Sequence, residues 1–164
     1  MAKRTKRVER NAPSRVAPRL ATALTRDHIN GVTLANNRLM DCGRAGVLET
    51  LETLSGAGVA TVGAAACERA AHEPTILQAG RWRVGMLGYY WNRRTAAEGS
   101  SPGSARDTPE DLAADIGALR QRVDRIVVAF HWGIPYEPEP LPEDQEKARF
   151  AVDCGADVII GHHP

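Results

Sequence analysis

The sequence predicts an α/β domain with a mixed sheet, and three observations predict it. Short apolar runs of strand type alternate with segments whose apolar residues recur at helical spacing, and residues 126–130 (IVVAF) are apolar throughout. The apolar pair Ile76 and Leu77 meets residues 84–87 across Ala79, Gly80 and Arg81, which reads as a hairpin. A continuous apolar strand suits a position covered on both faces, whereas a hairpin is antiparallel, so the sheet is expected to be mixed.

Residues 1–15 carry Lys3, Arg4, Lys6, Arg7, Arg10 and Arg15 against Glu9 alone, with Pro13 and Pro18 close by. No apolar face can be drawn there, so this stretch is expected to be a basic disordered tail and residues 16–164 the domain. The tail has no aromatic side chain among its charges, which favours a solvated terminus over a nucleic-acid arm. Leu20, Leu24 and Ile29 then suggest a short helix, and residues 32–35 (VTLA) a buried strand ending at Asn36 and Asn37. Val47, Leu48, Leu51 and Leu54 give an amphipathic helix, with Asp41 as its expected cap and Gly56 at its close. Residues 59–62 read as a short strand and residues 64–71 as a helical turn or two.

Residues 91–108 hold a Gly, Ser and Pro cluster, and a loop of that length in a compact domain is either functional or disordered. Pro109 opens a helix with Glu110 and Asp111 in its first turn, favourable at the positive end of the helix dipole, and with Leu112, Ile116 and Leu119 inward. The strand 126–130 follows and stops at His131. The segment GIPYEPEPLP is too rich in proline for a helix or inner strand, so it reads as a stiff loop leading into a helix over residues 142–154. Residues 158–160 (VII) form one more strand, read as buried and closed by Gly161, His162, His163 and Pro164.

Composition sets bounds on function. Hydrophobic residues at 43% and charged residues at 25% are ordinary for a globular chain of 164 residues, and a formal charge of +1 makes no overall case for nucleic acid or a membrane. Cys42, Cys67 and Cys154 form no CxxC pair and are expected to be buried thiols in a reducing compartment. The opening has charge with no apolar run behind it, so neither a secretory signal nor a membrane anchor is read, and a cytoplasmic location is expected. His28 and His72 lack partners at ligand spacing and read as surface histidines. The glycines of Gly56-Ala57-Gly58 with Gly63 follow a helix and precede a strand, the reverse of a dinucleotide-binding turn. No Gly-x-Ser-x-Gly elbow and no Walker lysine is present.

Three strand-like runs each end in metal-capable side chains: VTLA before Asn36 and Asn37, IVVAF before His131, and VII before His162 and His163. Ligands of open α/β sheets gather beyond the carboxyl ends of strands, so these residues are expected to converge on one rim. Imidazole nitrogen and amide oxygen, joined by carboxylates, suit Mn, Fe or Zn.

The run ANNRLMDCGRAGVLETLETLSGAGVATVGA resembles a segment of the CapA family of capsule and poly-γ-glutamate synthesis proteins, with its Asn-Asn-His, Asp-aromatic-Gly turn and Leu-rich helix. AFHWGIPYEPEPLPEDQEKARFAVDCGADVIIGHHP is similar to that family's His-Trp-Gly loop, acidic proline stretch and terminal Gly-His-His-Pro-His motif. The resemblance runs from about Leu20 onward and implies a partial four-layer α/β/β/α sandwich of the metallophosphatase (calcineurin-like phosphoesterase) superfamily. It implies a divalent metal site, in the superfamily a two-metal one, with Asn37, His131 and His163 as ligands and His162 as their neighbour. The reaction implied is metal-dependent hydrolysis of a phosphoester.

Departures from the family qualify those roles. Arg38 stands where the family has a His, and a guanidinium does not give up a proton near neutral pH. The family's Gly-Asp strand, the acidic residue after it and the second His of the final motif have no counterpart in the chain, so a fragment-like member with an incomplete ligand set is expected. The alternative function is an inactive member that binds an anionic polymer, and the uncovered sheet edge of such a fragment predicts poor solubility.

Overall fold

The computed structural model describes residues 14–90, 92–136 and 138–163. After a 3-10 turn at Pro18–Leu20 come α1 (Ala21–Arg26), β1 (Gly31–Thr33), α2 (Gly43–Gly56), β2 (Ala60–Val62), β3 (Ala64–Ala65), α3 (Glu68–Ala71) and β4 (Thr75–Ala79). Then follow β5 (Trp82–Tyr89), β6 (Gly103–Ser104), α4 (Pro109–Arg120), β7 (Arg125–His131), α5 (Pro142–Asp153) and β8 (Val158–His162). The architecture is mixed α/β, consistent with a partial metallophosphatase-like fold. Most of the expected basic tail lies outside the described residues.

The main sheet has four strands in the order β4-β5-β7-β8. β4 and β5 form the expected antiparallel hairpin, while β5-β7 and β7-β8 are parallel. A second sheet pairs β1 with β2 in parallel, and β3 pairs with β6.

Alternation along β5 shows how the layers stack, because successive residues face opposite sides of a sheet. A Cβ on Gly85 would sit 2.8 Å from Leu119 of α4, whereas one on Gly88 would sit 2.8 Å from Thr33 Oγ1 of β1. The odd-numbered face of β5 is therefore packed by α4, and the even-numbered face by the β1-β2 sheet, with α2 packed behind β2. Layers follow in the order helix, sheet, sheet, helix.

The core lies under α4. Leu87, Tyr89, Leu112, Ile116, Leu119, Ile126, Val128 and Phe130 are all buried, contributed by β5, α4 and β7. Burying such side chains contributes roughly 1.5–3 kcal/mol each relative to exposure. α4 starts where the sequence places it: Thr108 accepts from Asp111 N at 3.1 Å as N-cap, Pro109 sits in the first turn, and Glu110 and Asp111 face the dipole.

Several expectations are corrected. Asp41 does not cap α2, whose N-cap residue is Cys42 with no side-chain cap bond; Asp41 instead pairs with Arg38 at 2.8 Å and accepts from Ser14 N at 3.1 Å. The thiols are not buried, since Cys42 is exposed and Cys67 and Cys154 are half-buried. Residues 64–71 split into β3 and the one-turn α3. The stretch after Trp91 is folded: Ser104 N donates to Thr95 O at 2.8 Å, Ala97 N to Ser104 O at 2.9 Å and Ala105 N to Gly63 O at 2.9 Å, with Thr95, Ala96, Ala97, Ser104 and Ala105 buried.

The strand VII is not covered on both faces, because Val158 is 46% and Ile160 43% exposed. β8 is an edge strand, and Val158, Ile160 and His162 pair with Val127, Ala129 and His131. Those residues share the face that the β1-β2 sheet covers at β5. That second sheet is two strands wide and packs at the β4-β5 end, so this side of β8 stays open.

Ile116, fully buried between α4 and the sheet, is the position where truncation is most informative. Ile116→Ala is expected to lower the unfolding free energy by about 2–5 kcal/mol in urea titration; a loss under about 1 kcal/mol would contradict the packing described.

Candidate functional site

The parallel register of β5, β7 and β8 brings the candidate residues to one end of the sheet. Tyr89 pairs with Phe130, Phe130 with Gly161, and His131 with His162. Cross-strand partners share a face, so Tyr89 and Phe130 point toward α4 while His131 and His162 point to the other side. The rings agree: Tyr89 and Phe130 stack at 5.6 Å, and Tyr90 presents an edge to His131 at 5.2 Å.

β1 and β2 end at the same rim. A Cβ on Gly63, just past β2, would sit 2.8 Å from Ala35 Cβ and 2.6 Å from Gly88 O, so these three strands converge closely and Gly63, at φ 81°, meets a requirement no other residue fills. Asn37 follows Ala35 by two residues, on an exposed turn where Asn36 Oδ1 accepts from Arg38 N at 2.8 Å.

Three imidazoles gather there. His131 lies 4.4 Å from His163, edge to face, and 5.7 Å from His162, ring centre to ring centre. His163 has φ 66°, a left-handed conformation uncommon for a non-glycine residue and frequent where structure is held for function. His162 Nδ1 lies 3.1 Å from Phe130 O. A carbonyl only accepts, so Nδ1 carries the hydrogen of this bond and the ring is held in orientation.

His131 Nε2 is buried without a hydrogen-bond partner among the described residues. Its pKa is lowered to about 4, first by burial and then by the neighbouring His163 and His162. A neutral imidazole with an unused nitrogen is the form that binds a metal. The donor set fits Mn, Fe or Zn in part: it offers nitrogen, yet among the described residues no group of three or more His, Cys, Asp or Glu is arranged to hold an ion. Arg38, at the position where the resemblance has a His, pairs with Asp41 at 2.8 Å and donates to Ser14 Oγ at 3.2 Å.

Sequence reasoning missed the groups that hold the rim in place. Trp132 stacks on Phe130 at 4.6 Å and lies over Gly161, where a Cβ would sit 2.7 Å from its Nε1. Asp144 is buried at the start of α5, where burial raises its pKa, and its Oδ2 has no hydrogen-bond partner among the described residues. The His-Trp-Gly run was visible in the sequence, but not the packing of Trp132 on Phe130 and Gly161. His72 is a further correction. It is half-buried and bonded to Asp115, not a free surface histidine.

The layer order is that of a mixed α/β domain, consistent with a partial metallophosphatase-like fold. The chain belongs to the family described as "Bacterial capsule synthesis protein PGA_cap", whose model matches residues 2–164. It is 31% identical over 166 residues to a probable polyglutamine synthesis accessory protein of Mycobacterium tuberculosis, covering 92% of this chain and 44% of that protein. It is 31% identical over 139 residues to the capsule biosynthesis protein CapA of Bacillus anthracis, covering 81% and 34% respectively. With the PGA biosynthesis protein CapA of Bacillus subtilis it shares 31% identity over 133 residues, covering 79% and 35%. The chain thus spans less than half the length of these relatives. No helix among the described residues is long and apolar enough to cross a membrane.

The enclosed position of His131 has a measurable consequence. Its ring resonances are expected to titrate near pH 4 by NMR, and because the unfolded chain binds this proton near pH 6.5, the stabilisation from this residue is present above pH 6.5 and declines as pH falls toward 4. A midpoint at or above 6.5 would contradict the buried, mutually repelling arrangement.

Proposed function

We propose that the chain serves capsule-polymer synthesis of the poly-γ-glutamate type as a metal-dependent, phosphoesterase-like hydrolase domain. Asn37, His131 and His163 supply metal ligands, with His162 beside them. The observation that carries this reading is the unpartnered, buried Nε2 of His131 facing a group of imidazoles at the ends of parallel strands. Family membership and relatives named for capsule and PGA biosynthesis support the pathway.

A bound divalent ion supplies polarisation of a phosphoryl oxygen and a water of lowered pKa. This chain's own residues fix the geometry. Phe130 and Trp132 hold the end of β7, Tyr90 braces His131, and burial keeps His131 unprotonated at neutral pH. Asn37 Oδ1 would join the imidazoles in holding a bound ion. Arg38 binds a phosphoryl or carboxylate oxygen in exchange for Asp41; it does not protonate the leaving group.

A second reading is a non-catalytic member that binds an anionic polymer, and Arg38 in place of the family's His is the observation that favours it. Metal analysis and activity separate the two. After reconstitution with Mn, Fe or Zn, the chain is expected to retain metal by elemental analysis, and His131→Ala and His163→Ala to weaken binding by at least about tenfold. Retention equal to wild type in both variants, or no metal in the wild type, would remove the site. Metal binding without hydrolysis of a bis-aryl phosphodiester, unchanged in Arg38→His, would favour the second reading.

A further inference from the structure

On the α4 side of the sheet, away from the imidazole rim, a cavity of about 530 Å³ opens between α3, α4 and the segment before α4. His72, at the end of α3, lines it. His72 Nδ1 lies 2.7 Å from Asp115 Oδ2, and the same oxygen accepts from the hydroxyl of Tyr89 at 2.9 Å. A carboxylate only accepts, so Nδ1 carries the hydrogen and the imidazole is fixed in orientation, as a buried carboxylate fixes a catalytic or ligand-binding histidine elsewhere. Nε2 has no hydrogen-bond partner among the described residues.

The charges around the cavity decide what it takes. Glu68 accepts from Arg106 at 2.8 Å and from Gly99 N at 3.0 Å, and Glu73 from Arg69 at 2.9 Å. Asp111 accepts from Thr108 Oγ1 at 2.8 Å, with Arg106 at 3.8 Å, and Asp115 serves His72 and Tyr89. Every carboxylate in the wall is thus already engaged. Two groups are left over, His72 Nε2 and the exposed Arg122, which forms no ion pair among the described residues. With His72 protonated, both are donors with positive charge and neither has an acceptor.

We propose that this cavity is a second ligand site, which takes a small oxyanion, a carboxylate or a phosphate, on the imidazolium of His72 and the guanidinium of Arg122. Occupancy depends on the protonation of His72, because neutral His72 offers only a lone pair at Nε2. The bond to Asp115 raises its pKa above the usual value, against the cost of burial, with Asp111 adding to the rise and Arg106 opposing it. The bond to Asp115 thus favours the protonated form that the site requires. Charge-assisted bonds to both cations give the site its selectivity for anions.

The test is an NMR titration of the full chain with labelled histidine, following the His72 ring while sodium acetate or sodium phosphate is added between pH 6 and 9. A saturable shift of the His72 signals is expected, with affinity for acetate falling about tenfold for each pH unit above the His72 midpoint. Comparing the two salts distinguishes carboxylate from phosphate. Arg122→Ala, at an exposed position, is expected to weaken binding about tenfold, the loss of one charge-assisted bond. His72→Gln, which keeps a donor toward Asp115 but cannot become cationic, is expected to abolish the pH dependence. No saturable shift with either salt, or affinity unchanged by pH and by Arg122→Ala, would overturn the proposal. The result is independent of metal loading at the rim.

Discussion

The parallel, in-register pairing of β5, β7 and β8 is the constraint on which the functional geometry depends. Because β7 and β8 run the same way and His131 sits opposite His162, two side chains 31 positions apart in the sequence become neighbours at one sheet end. A one-residue slip of β8 against β7 would turn His162 to the α4 side, away from His131. The register is fixed from the other face. Tyr89, Phe130 and Trp132 form a continuous aromatic stack under α4, and Trp132 fits only because Gly161 has no side chain.

The same arrangement divides the sheet into a closed and a half-open side. α4 and α5 cover one face, whereas the β1-β2 sheet covers only the β4-β5 end of the other. That leaves Val158 and Ile160 exposed beside His162. A rim that takes a ligand must be open at the strand ends. Among the described residues the opening extends along β8, so the apolar side chains of Val158 and Ile160 adjoin the imidazoles. Asp157 secures the opposite end of β8, accepting from Ile126 N at 2.8 Å and from Arg120 at 2.7 Å.

Much of this was legible in the sequence, because it depended on local period and on punctuation. The helix after Pro109, the helix after Pro142, the hairpin around Gly80 and the strand ending at His131 follow from spacing, caps and turn residues within a few positions of one another. What the sequence hid was long-range. β3 and β6 are two residues each, too short to show any period, and they exist because the segment after Trp91 folds back on Gly63. The exposure of β8 follows from its edge position, which no stretch of VII encodes. His72 looked isolated because Asp115 is 43 residues away, and Asp41 looked like a cap because its partner Arg38 lies before the helix it precedes.

The candidate site divides the same way. His131, His162 and His163 were readable as strand-end residues, and their rings lie together in the structure; Asn37 lies on an exposed turn two residues after Ala35, which packs against Gly63. The central claim is that one metal centre joins the β1 turn to the ends of β7 and β8. Anomalous diffraction from a crystal of the chain grown with Mn or Zn tests this most directly. A peak is expected with the nitrogens of His131 and His163 and the amide oxygen of Asn37 at bonding distances of about 2.0–2.2 Å. A metal peak bound elsewhere, with Asn37 turned away from both imidazoles, would contradict it.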